Sequence, residues 1–341
     1  MKKRVLLPLA LCFSGAFDNA QAQSSLTLYG IVDNGIEYQN GGQGSVVRAV
    51  SSGLFATVYG LRGSEYIGGG YRVNFQLEQG FSGVTGAATD PTAAWNRLAW
   101  VGMSGPFGEL RIGRQKKPEY LFLNGEIDPT AVKSIASPIN NFQDVTVRAS
   151  NAITYFAPTI YGLSAQAMIS LRDQTMKPSN GLHFYNVVAR YVNGPFRMSA
   201  GYESQGNATG SSVQKVWRAA AGYRAGNLRV YLAYQSERQT DGSEKRDIYE
   251  ASTSYQLDPF NLVSVMYGYA RDRAGQGKNA QQIGLTYEYF LSKATNLYAA
   301  AGVIDNHGQA NYTLDGTQYS GIPTAPGAYA RGIVLGMTHK F

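Results

Sequence analysis

The chain has 341 residues, with 40 glycines and 24 tyrosines but only three histidines and one cysteine. Its 30 lysines and arginines exceed its 23 acidic residues and give a formal charge of +7, but they are dispersed along the chain, which excludes a nucleic-acid-binding surface. No stretch after residue 22 contains roughly 18 consecutive apolar residues, so no membrane-spanning helix is predicted.

The N-terminus predicts export. Basic residues at 2–4 precede an apolar run over 5–13, and Ala20-Gln21-Ala22 forms a small-x-small cleavage site. This order is typical of a secretory signal peptide over 1–22, which leaves a mature protein of one domain over 23–341.

The single cysteine, Cys12, lies inside the apolar run of the leader. Leu11, directly before it, stands where a lipoprotein signal requires glycine or alanine, so a lipid anchor is not predicted. The mature chain therefore has no thiol for a disulfide, a nucleophile or a metal site. Because removal of the leader takes away three basic residues and one acidic residue, the formal charge falls from +7 to +5.

From residue 26 onward, apolar and polar side chains alternate with a period of two. Val73, Phe75 and Leu77, for example, are separated by charged or polar residues. Successive side chains of a strand point to opposite faces, so each such segment predicts a strand with one wet face. The sixteen predicted strands lie near 25–38, 52–66, 70–82, 95–104, 107–114, 148–157, 163–173, 183–193, 196–205, 213–225, 228–238, 246–257, 260–272, 280–291, 295–305 and 329–341.

The connections between these strands alternate in length. Tight turns lie at 68–70, 105–106, 193–195, 225–227 and 258–259, and long connections lie at 39–51, 83–94, 115–147, 174–182 and 306–328. Short turns at one rim and long loops at the other are typical of a transmembrane β-barrel with its short turns on the periplasmic side. A soluble propeller would instead repeat a signature about every 40 residues, and no such repeat is present.

The C-terminal strand supports the barrel, because the chain ends on Phe341 after strict alternation. Leu335, Met337 and His339 share its apolar face. In a closed barrel this strand pairs with the first strand and turns its apolar face to lipid. The predicted fold class is all-β, a transmembrane antiparallel barrel of about sixteen strands, which is wide enough for an aqueous lumen.

Six segments occur in a characteristic order: SLTLYGIVD at 25–33, YGLRGSE at 59–65, RLAWVG at 97–102, FGELRIGRQ at 107–115, RASNAITY at 148–155 and GMTHKF at 336–341. Together they resemble the trimeric sixteen-stranded general porins of Gram-negative outer membranes, in particular the β-proteobacterial branch. The resemblance implies a homotrimer in the cell outer membrane, in contact with outer-membrane lipid and lipopolysaccharide, which passes small hydrophilic solutes and inorganic ions without a cofactor.

In that family, the loop after the fifth strand folds into the lumen, and its acidic residues face basic residues of the wall. The corresponding segment is 116–147, and a loop of this length is rare unless it is functional or disordered. The resemblance thus implies four candidate acids at the constriction: Glu119, Glu126, Asp128 and Asp144. The acidic tip of the enteric members is absent, so which of the four faces the lumen stays open.

The basic residues implied for the opposite wall are Arg62, Arg97, Arg111, Arg114 and Arg148. Strand parity places Arg148 inward. Arg114 shares parity with apolar neighbours, so either a β-bulge turns it inward or Arg111 is the inward residue. Lys116 and Lys117, at the root of the loop, are predicted to form a solvated hinge.

The resemblance assigns two further roles. The terminal residue, Phe341, belongs to the signal that the barrel assembly machinery recognises. The other is the trimer itself, for which the sequence offers only the first strand and the connection 83–94 as places of contact.

The predicted function is passive diffusion through a water-filled pore, with a modest preference for anions because inward arginines outnumber inward acids such as Asp33 and Glu78. A channel that prefers organic acids or phosphate is the alternative, and a plugged adhesive barrel is a third. A barrel enzyme needs a base beside a nucleophile or an activated water. The candidate bases are His183, His307 and His339, and none of them has a serine motif beside it in the sequence, so no enzyme is predicted.

Overall fold

The computed structural model of the protein describes residues 25–122, 124–172 and 182–341. The predicted signal peptide over 1–22 lies outside these residues, as does most of the predicted connection 174–182. No helix within the described ranges is long and apolar enough to cross a membrane.

Within these ranges the chain forms seventeen strands and three short helices. The strands are β1 (Ser25–Asn40), β2 (Ser45–Ser51), β3 (Val58–Gly68), β4 (Tyr71–Gly80), β5 (Leu98–Gly105), β6 (Gly108–Lys116), β7 (Arg148–Phe156), β8 (Leu163–Ser170), β9 (Phe184–Asn193), β10 (Phe196–Gly206), β11 (Val213–Ala225), β12 (Leu228–Gln239), β13 (Lys245–Asp258), β14 (Asn261–Asp272), β15 (Ala280–Phe290), β16 (Thr295–Asn306) and β17 (Tyr329–Lys340). The helices are α1 (Pro118–Phe122), α2 (Asn124–Ile127) and α3 (Pro138–Phe142), all between β6 and β7.

The strands form one closed antiparallel barrel. β1 pairs with β17 over residues 31–40 and 331–340, which closes the sheet. Both β2 and β3 also pair with β1, β2 along residues 34–40 and β3 along residues 25–31. β2 and β3 therefore share one position in the wall, and the barrel has the sixteen strand positions that the sequence predicts.

The two ends of the barrel differ as expected. One end, the short-turn end, carries connections such as 69–70, 194–195 and 226–227. The other, the long-loop end, carries the connection 81–97, the loop 117–147 and the loop 307–328. The latter two are called the inner loop and the final loop below.

The predicted second strand is partly wrong. Residues 45–51 were expected in a long connection over 39–51, but they form β2 and pair with β1. Residues 52–57 were expected to be strand, but they leave the sheet and bend inward. Asp33 holds this bend, because its carboxylate accepts hydrogen bonds from the backbone N–H groups of residues 53–55 at 2.8–3.3 Å. The bend interrupts the strand in the middle of the wall.

The outer surface of the barrel is apolar. On β17, Leu335 and Met337 are exposed, whereas Val334, directly before Leu335, is fully buried. His339 lies on the same exposed face, with its Nδ1 2.8 Å from Oγ1 of Thr295. The alternation therefore separates a lipid-facing side from an inward side.

The last residue is fixed to the first strand. The backbone N–H and C=O of Phe341 exchange hydrogen bonds with Gly30 at 3.1 and 3.0 Å. A Cβ on Gly30 would lie 2.2 Å from the Phe341 ring, so only glycine leaves room for the ring there. The barrel seam thus ends in an aromatic ring packed on β1.

The main hydrophobic cluster lies inside the barrel. It joins apolar residues of the inner loop, such as Ile135 and Phe142, to Leu314 of the final loop and to wall residues such as Met266 and Ile304. A barrel of sixteen strands is too wide to be filled by its wall alone. The two loops therefore fill part of the lumen and confine the open part.

Candidate functional site in the lumen

The inner loop crosses the lumen and packs on one side of the wall. α1 contacts β8 and β9, α2 contacts β10–β12, and α3 contacts β13–β15. Ser137 caps α3, because its Oγ accepts the backbone N–H of Asn140 at 3.2 Å, and Pro138 occupies the first turn, where its missing N–H costs nothing. Ile139 and Phe142 of α3 are buried against the wall. The loop is thus a folded element of the pore.

The wall beneath the loop carries an inward row of glycines, Gly268, Gly284, Gly302 and Gly332, called the glycine row below. Three of them are direct neighbours in the pairing of β15, β16 and β17. A Cβ on Gly284 would lie 1.8 Å from the carbonyl oxygen of Ala136, and one on Gly268 would lie 2.2 Å from the Pro138 ring. The loop backbone therefore lies directly on the wall, which requires glycine at these positions.

Two of the four predicted loop acids face arginines of the wall. Glu119 lies 3.5 Å from Arg218 of β11, and both side chains are almost fully buried. Glu126 accepts two hydrogen bonds from Arg190 of β9, at 2.6 and 3.0 Å. Burial raises the pKa of both carboxyl groups, to about 8 for Glu119, and the facing arginine opposes the rise in each case. Both acids are therefore turned toward β9–β11.

The other two acids have different surroundings. Asp128 is buried inside the loop, where its carboxylate accepts hydrogen bonds from Thr130, Val132 and Ser137. This network shapes the turn that precedes α3. Asp144 is exposed at the long-loop end. The four acids are thus not gathered at one point of the lumen.

Lys117 contradicts the predicted solvated hinge. It is 2% exposed, and its ammonium group donates to Glu203 at 2.5 Å and to Gln205 at 2.9 Å. The root of the inner loop is therefore tied to β10. The prediction is wrong because the partner carboxylate lies 86 residues away in sequence.

Three of the predicted arginines come together at the long-loop end of β5–β7. Arg97 is buried and paired with Glu78 at 2.7 Å. Arg114 donates to the backbone carbonyl of Asn96 and to Oγ of Ser150, both at 2.7 Å. Arg148 lies within electrostatic range of both arginines, and it lines a cavity of about 400 Å³ together with Arg114.

The two alternatives for Arg111 and Arg114 both hold in part. The pairing of β6 with β7 shifts between Gly113 and Gln115, so Arg114 occupies a β-bulge. Gly113 has a φ of +127°, which favours glycine. Arg111 lies nearer the short-turn end, paired with Glu109 at 2.8 Å and packed on aromatic rings. Arg111 is thus separate from the group around Arg114.

Arg62 also lies apart from that group. It is exposed on β3 and stacks over the ring of Tyr29 at 5.4 Å. In the β3–β4 pairing it lies opposite Gln76. Of the five predicted arginines, the structure brings together Arg97, Arg114 and Arg148.

Two lysines that the sequence analysis did not place at the constriction join these arginines. Lys116 lies over the ring of Tyr120 at 5.4 Å and within electrostatic range of Arg97 and Arg148. Lys133, on the inner loop, is also within range of Arg97. The set Arg97, Arg114, Lys116, Lys133 and Arg148 is called the basic cluster below. Its members come from two strands, the connection 81–97 and the inner loop, so no sequence motif joins them.

The final loop was also missed as part of the lumen. Leu314 packs on the glycine row, 2.8 Å from the Cβ position of Gly302. The carbonyl of Asp315 accepts the side-chain amide of Asn140 at 2.8 Å, which joins this loop to α3. Tyr319 donates to Glu37 of β1 at 2.6 Å. The final loop therefore clamps the inner loop against the wall, and its apolar residues were the available signal.

Comparison with known proteins identifies this architecture. The family model described as Gram-negative porin matches residues 9–309. The chain belongs to the Gram-negative porin family. Outer membrane porin protein 32 of Delftia acidovorans is 30% identical over the full length of both chains. The anion-selective porin from Comamonas acidovorans has a similar structure, with 27% identity, a TM-score of 0.82, and coverage of 94% of this chain and 100% of that one.

A more distant similarity shows the fold alone. OmpT of Vibrio cholerae, in its trimer form, is 11% identical, with a TM-score of 0.67 over 93% of this chain and 99% of that one. Family membership makes the protein an outer-membrane porin, a channel without enzymatic activity. The lumen that the inner loop crosses is accordingly a diffusion pathway.

Proposed function

We propose that this porin prefers anions and that the basic cluster sets the preference. The observation that carries the proposal is an excess of positive charge where the loop narrows the lumen. Within the described residues, Arg114 and Arg148 have no carboxylate within 4.0 Å, and Arg97 alone of the cluster is paired. The loop acids Glu119 and Glu126 are turned to other arginines.

The size of the effect follows from Coulomb's law. One unit charge about 4 Å from a permeating ion contributes roughly 1 kcal/mol in water, which favours an anion about fivefold. Screening over a Debye length of about 8 Å at physiological salt weakens this preference without removing it. Two arginines beside the path therefore suffice for modest selectivity. The similarity to a porin named as anion-selective also supports a preference for anions.

The test is the reversal potential of the porin in planar bilayers under a KCl gradient. We expect a reversal potential whose sign shows that chloride permeates several times faster than potassium. Raising the salt concentration is expected to reduce the preference, because the charges are then screened. A cation-selective reversal potential would contradict the proposal.

A substrate-preferring channel is the second candidate. The cavity of about 400 Å³ that Arg114 and Arg148 share is also lined by Gln205 and Thr146. Planar guanidinium groups match carboxylate and phosphate geometry, so a small organic acid or phosphate fits this lining. Block of the chloride current at millimolar concentrations of one such anion would support a preference. Unblocked ohmic conductance would favour the general pore.

We also propose that the porin is a homotrimer. The trimer form of the Vibrio cholerae relative supports this by analogy. The outer face of β1–β3 exposes Leu26, Leu28 and Val47, and the connection 81–97 lies beside it. These surfaces are the proposed subunit contacts. Cross-linking of the detergent-extracted protein is expected to give three subunits.

Export and assembly complete the proposal. A signal peptide over 1–22 leaves a mature N-terminus at Gln23, which N-terminal sequencing of the outer-membrane protein would show. Phe341 is proposed to be part of the signal for the barrel assembly machinery. Phe341 is 57% exposed on the outer face, so its recognition before the barrel closes is compatible with its packing on Gly30 afterwards.

Deletion of Phe341 is expected to lower the amount of folded porin in the outer membrane several-fold. The few barrels that form are expected to keep normal conductance, because the residue lies outside the lumen. Phe341→Tyr, which keeps an aromatic ring, is the matched control and should assemble normally. Outer-membrane levels and single-channel conductance are the measurements, and wild-type levels after deletion would contradict the assignment.

A further inference from the structure

A polar cavity of about 360 Å³ lies at the long-loop end of the lumen. Its walls are the end of the inner loop, part of the final loop, the connection 240–244 between β12 and β13, and the connection 273–279 between β14 and β15. The lining is polar or charged apart from Ala274 and the ring of Tyr312. Small-molecule sites occupy roughly 300 to 1,000 Å³, so the cavity is large enough for a small solute. It is called the mouth cavity below.

The arginine that lines the mouth cavity is already neutralised. Arg246 of β13 forms ion pairs with Glu237 and Glu244. Its guanidinium also donates to the carbonyl of Phe142 and stacks over the ring of Tyr312 at 5.3 Å. Two carboxylates share this one cation, so it leaves no positive charge for a solute. The charges that a solute meets must come from other residues of the lining.

Two residues of opposite charge supply them. In the described part of the chain, Asp144 of the inner loop has no cation within 4.0 Å, and Lys278 of the connection 273–279 has no carboxylate within that distance. Both residues are exposed. Lys245 also borders the cavity, but it shares strand parity with the outward-facing Tyr249, so we assign it to the outer surface. The mouth cavity therefore presents one negative and one positive group.

The backbone of Asp144 is held from two strands. Its N–H donates to the carboxylate of Glu237 on β12 at 3.1 Å. Its C=O accepts the side-chain amide of Gln214 on β11 at 2.5 Å. Because these bonds use the backbone groups, the carboxylate of Asp144 stays available to a solute.

The connection that carries Lys278 is also fixed. The N–H of Lys278 donates to the carboxylate of Asp272 at 3.2 Å. The side-chain amide of Gln276 donates to the carbonyl of Ser243 at 2.8 Å and so joins the connections 273–279 and 240–244. A site whose backbone is ordered before binding loses less conformational freedom when the solute arrives. The mouth cavity is thus preorganised on both sides.

A simple ion does not match this pair of charges. An anion that approaches Lys278 is repelled by Asp144, and a cation that approaches Asp144 is repelled by Lys278. A solute that carries both charges finds a partner for each of them, which is how a site discriminates by repulsion as well as attraction. A free α-amino acid has an ammonium and a carboxylate on one carbon and meets this requirement.

We propose that the mouth cavity binds free α-amino acids, with the ammonium at Asp144 and the carboxylate at Lys278. The long-loop end of an outer-membrane barrel faces outward, so the site receives an amino acid before the constriction does. Each contact at about 4 Å in water is worth only roughly fivefold, so binding is weak and the solute is released readily. Neither residue belongs to the basic cluster, so this site and the ion preference of the pore can fail separately.

The experiment is a saturation-transfer NMR titration of the intact porin in detergent micelles with L-alanine as the probe. Propionate lacks the ammonium group of alanine, and ethylammonium lacks its carboxylate. At low salt, alanine should bind at least about fivefold more tightly than either compound, because each of them loses one attraction and keeps one repulsion. Raising the salt concentration should narrow the difference. Equal binding of propionate would make the cavity a plain anion site and overturn the proposal.

Neutral variants test each charge separately. Lys278→Gln should weaken alanine binding about fivefold and strengthen that of ethylammonium, because it removes an attraction from one and a repulsion from the other. Asp144→Asn should weaken alanine binding similarly and strengthen that of propionate. Lys293→Gln is the matched control, because Lys293 is an exposed lysine at the short-turn end, and it should bind alanine like the wild type. Unchanged alanine affinity in both folded cavity variants would overturn the proposal.

Exchange of the two charges separates a lost ligand contact from a folding defect. Asp144→Lys alone, or Lys278→Asp alone, leaves two like charges at the cavity and should abolish detectable alanine binding. The double variant restores one charge of each sign, so it should recover most of the binding, with alanine held in the reverse orientation. A folded double variant that still does not bind alanine would show that the two residues do not hold the solute, and the proposal would be wrong.

Discussion

Replacing Gly284 by valine is expected to raise the single-channel conductance and lower the ion preference of the porin. The added Cβ would lie 1.8 Å from the carbonyl oxygen of Ala136 and 2.6 Å from its carbonyl carbon. Backbone atoms cannot rotate out of the way as a flexible side chain can, so residues around Ala136 must lift off the wall. The inner loop then no longer holds the lumen at its narrow width.

The magnitude follows from the cost of overpacking. Inserting methyl groups into a packed site costs about 1 to 3 kcal/mol, which shifts the balance between a seated and a lifted loop roughly five- to 150-fold. Other contacts resist the lift, since Gln282 donates to the carbonyl of Ile135 and accepts from Asn141, both at 2.9 Å. We therefore expect a mixture of conductance levels, with the larger level more populated than in the wild type.

The matched control for Gly284→Val is Gly222→Val. Gly222 also faces inward, on β11, but the nearest atom to its Cβ position is 3.7 Å away, which is ordinary contact. The control should conduct like the wild type. Heat-modifiable migration on gels verifies that both variants form barrels. A folded Gly284→Val barrel with wild-type conductance would show that the loop does not limit the current.

The barrel wall could be predicted from the sequence because its signal is local. Alternation with a period of two identifies each strand without reference to its partner, and the connection lengths identify the two ends. Most predicted strand bounds lie within a few residues of those observed. β17 is the clearest case, since its alternation gave the exposed face of Leu335 and Met337.

The interrupted second strand could not be predicted in this way. The bend over 52–57 depends on Asp33, which also accepts hydrogen bonds from Tyr298 at 2.6 Å and Thr338 at 2.8 Å. These donors lie more than 260 residues away in the chain. Their proximity exists only once the barrel has closed, so no local pattern shows it. The final loop escaped prediction for the same reason.

The candidate site was predictable in composition more than in geometry. The resemblance named the loop acids and the wall arginines, but parity alone could not orient Arg114, because a bulge at Gly113 breaks the alternation. Neither the resemblance nor parity could show that Glu119 pairs with Arg218 and Glu126 with Arg190. Both arginines lie on strands further along the chain. Such pairs depend on how the loop folds into the closed barrel.

Reversing the charge at Arg148 is expected to move the ion preference toward cations. Arg148→Glu changes the local charge by two units beside the permeation path. At about 4 Å and in water, each unit is worth roughly fivefold for either ion, so anion permeability should fall about 25-fold before screening and cation permeability should rise by a similar factor. Arg97 and Arg114 keep part of the positive potential, which limits how far the preference moves toward cations. The reversal potential under a salt gradient is the measurement.

Arg229→Glu is the control that locates the constriction. It makes the same change of charge on an exposed arginine of β12, which lies opposite Arg224 near the short-turn end. A charge more than a Debye length from the narrow point, about 8 Å at physiological salt, is largely screened there. The shift for Arg229→Glu should therefore be several times smaller, and the difference should narrow when the salt is diluted. Equal shifts at physiological salt would mean that the narrow point lies elsewhere in the lumen, because screening forbids two distant charges to act alike on one constriction.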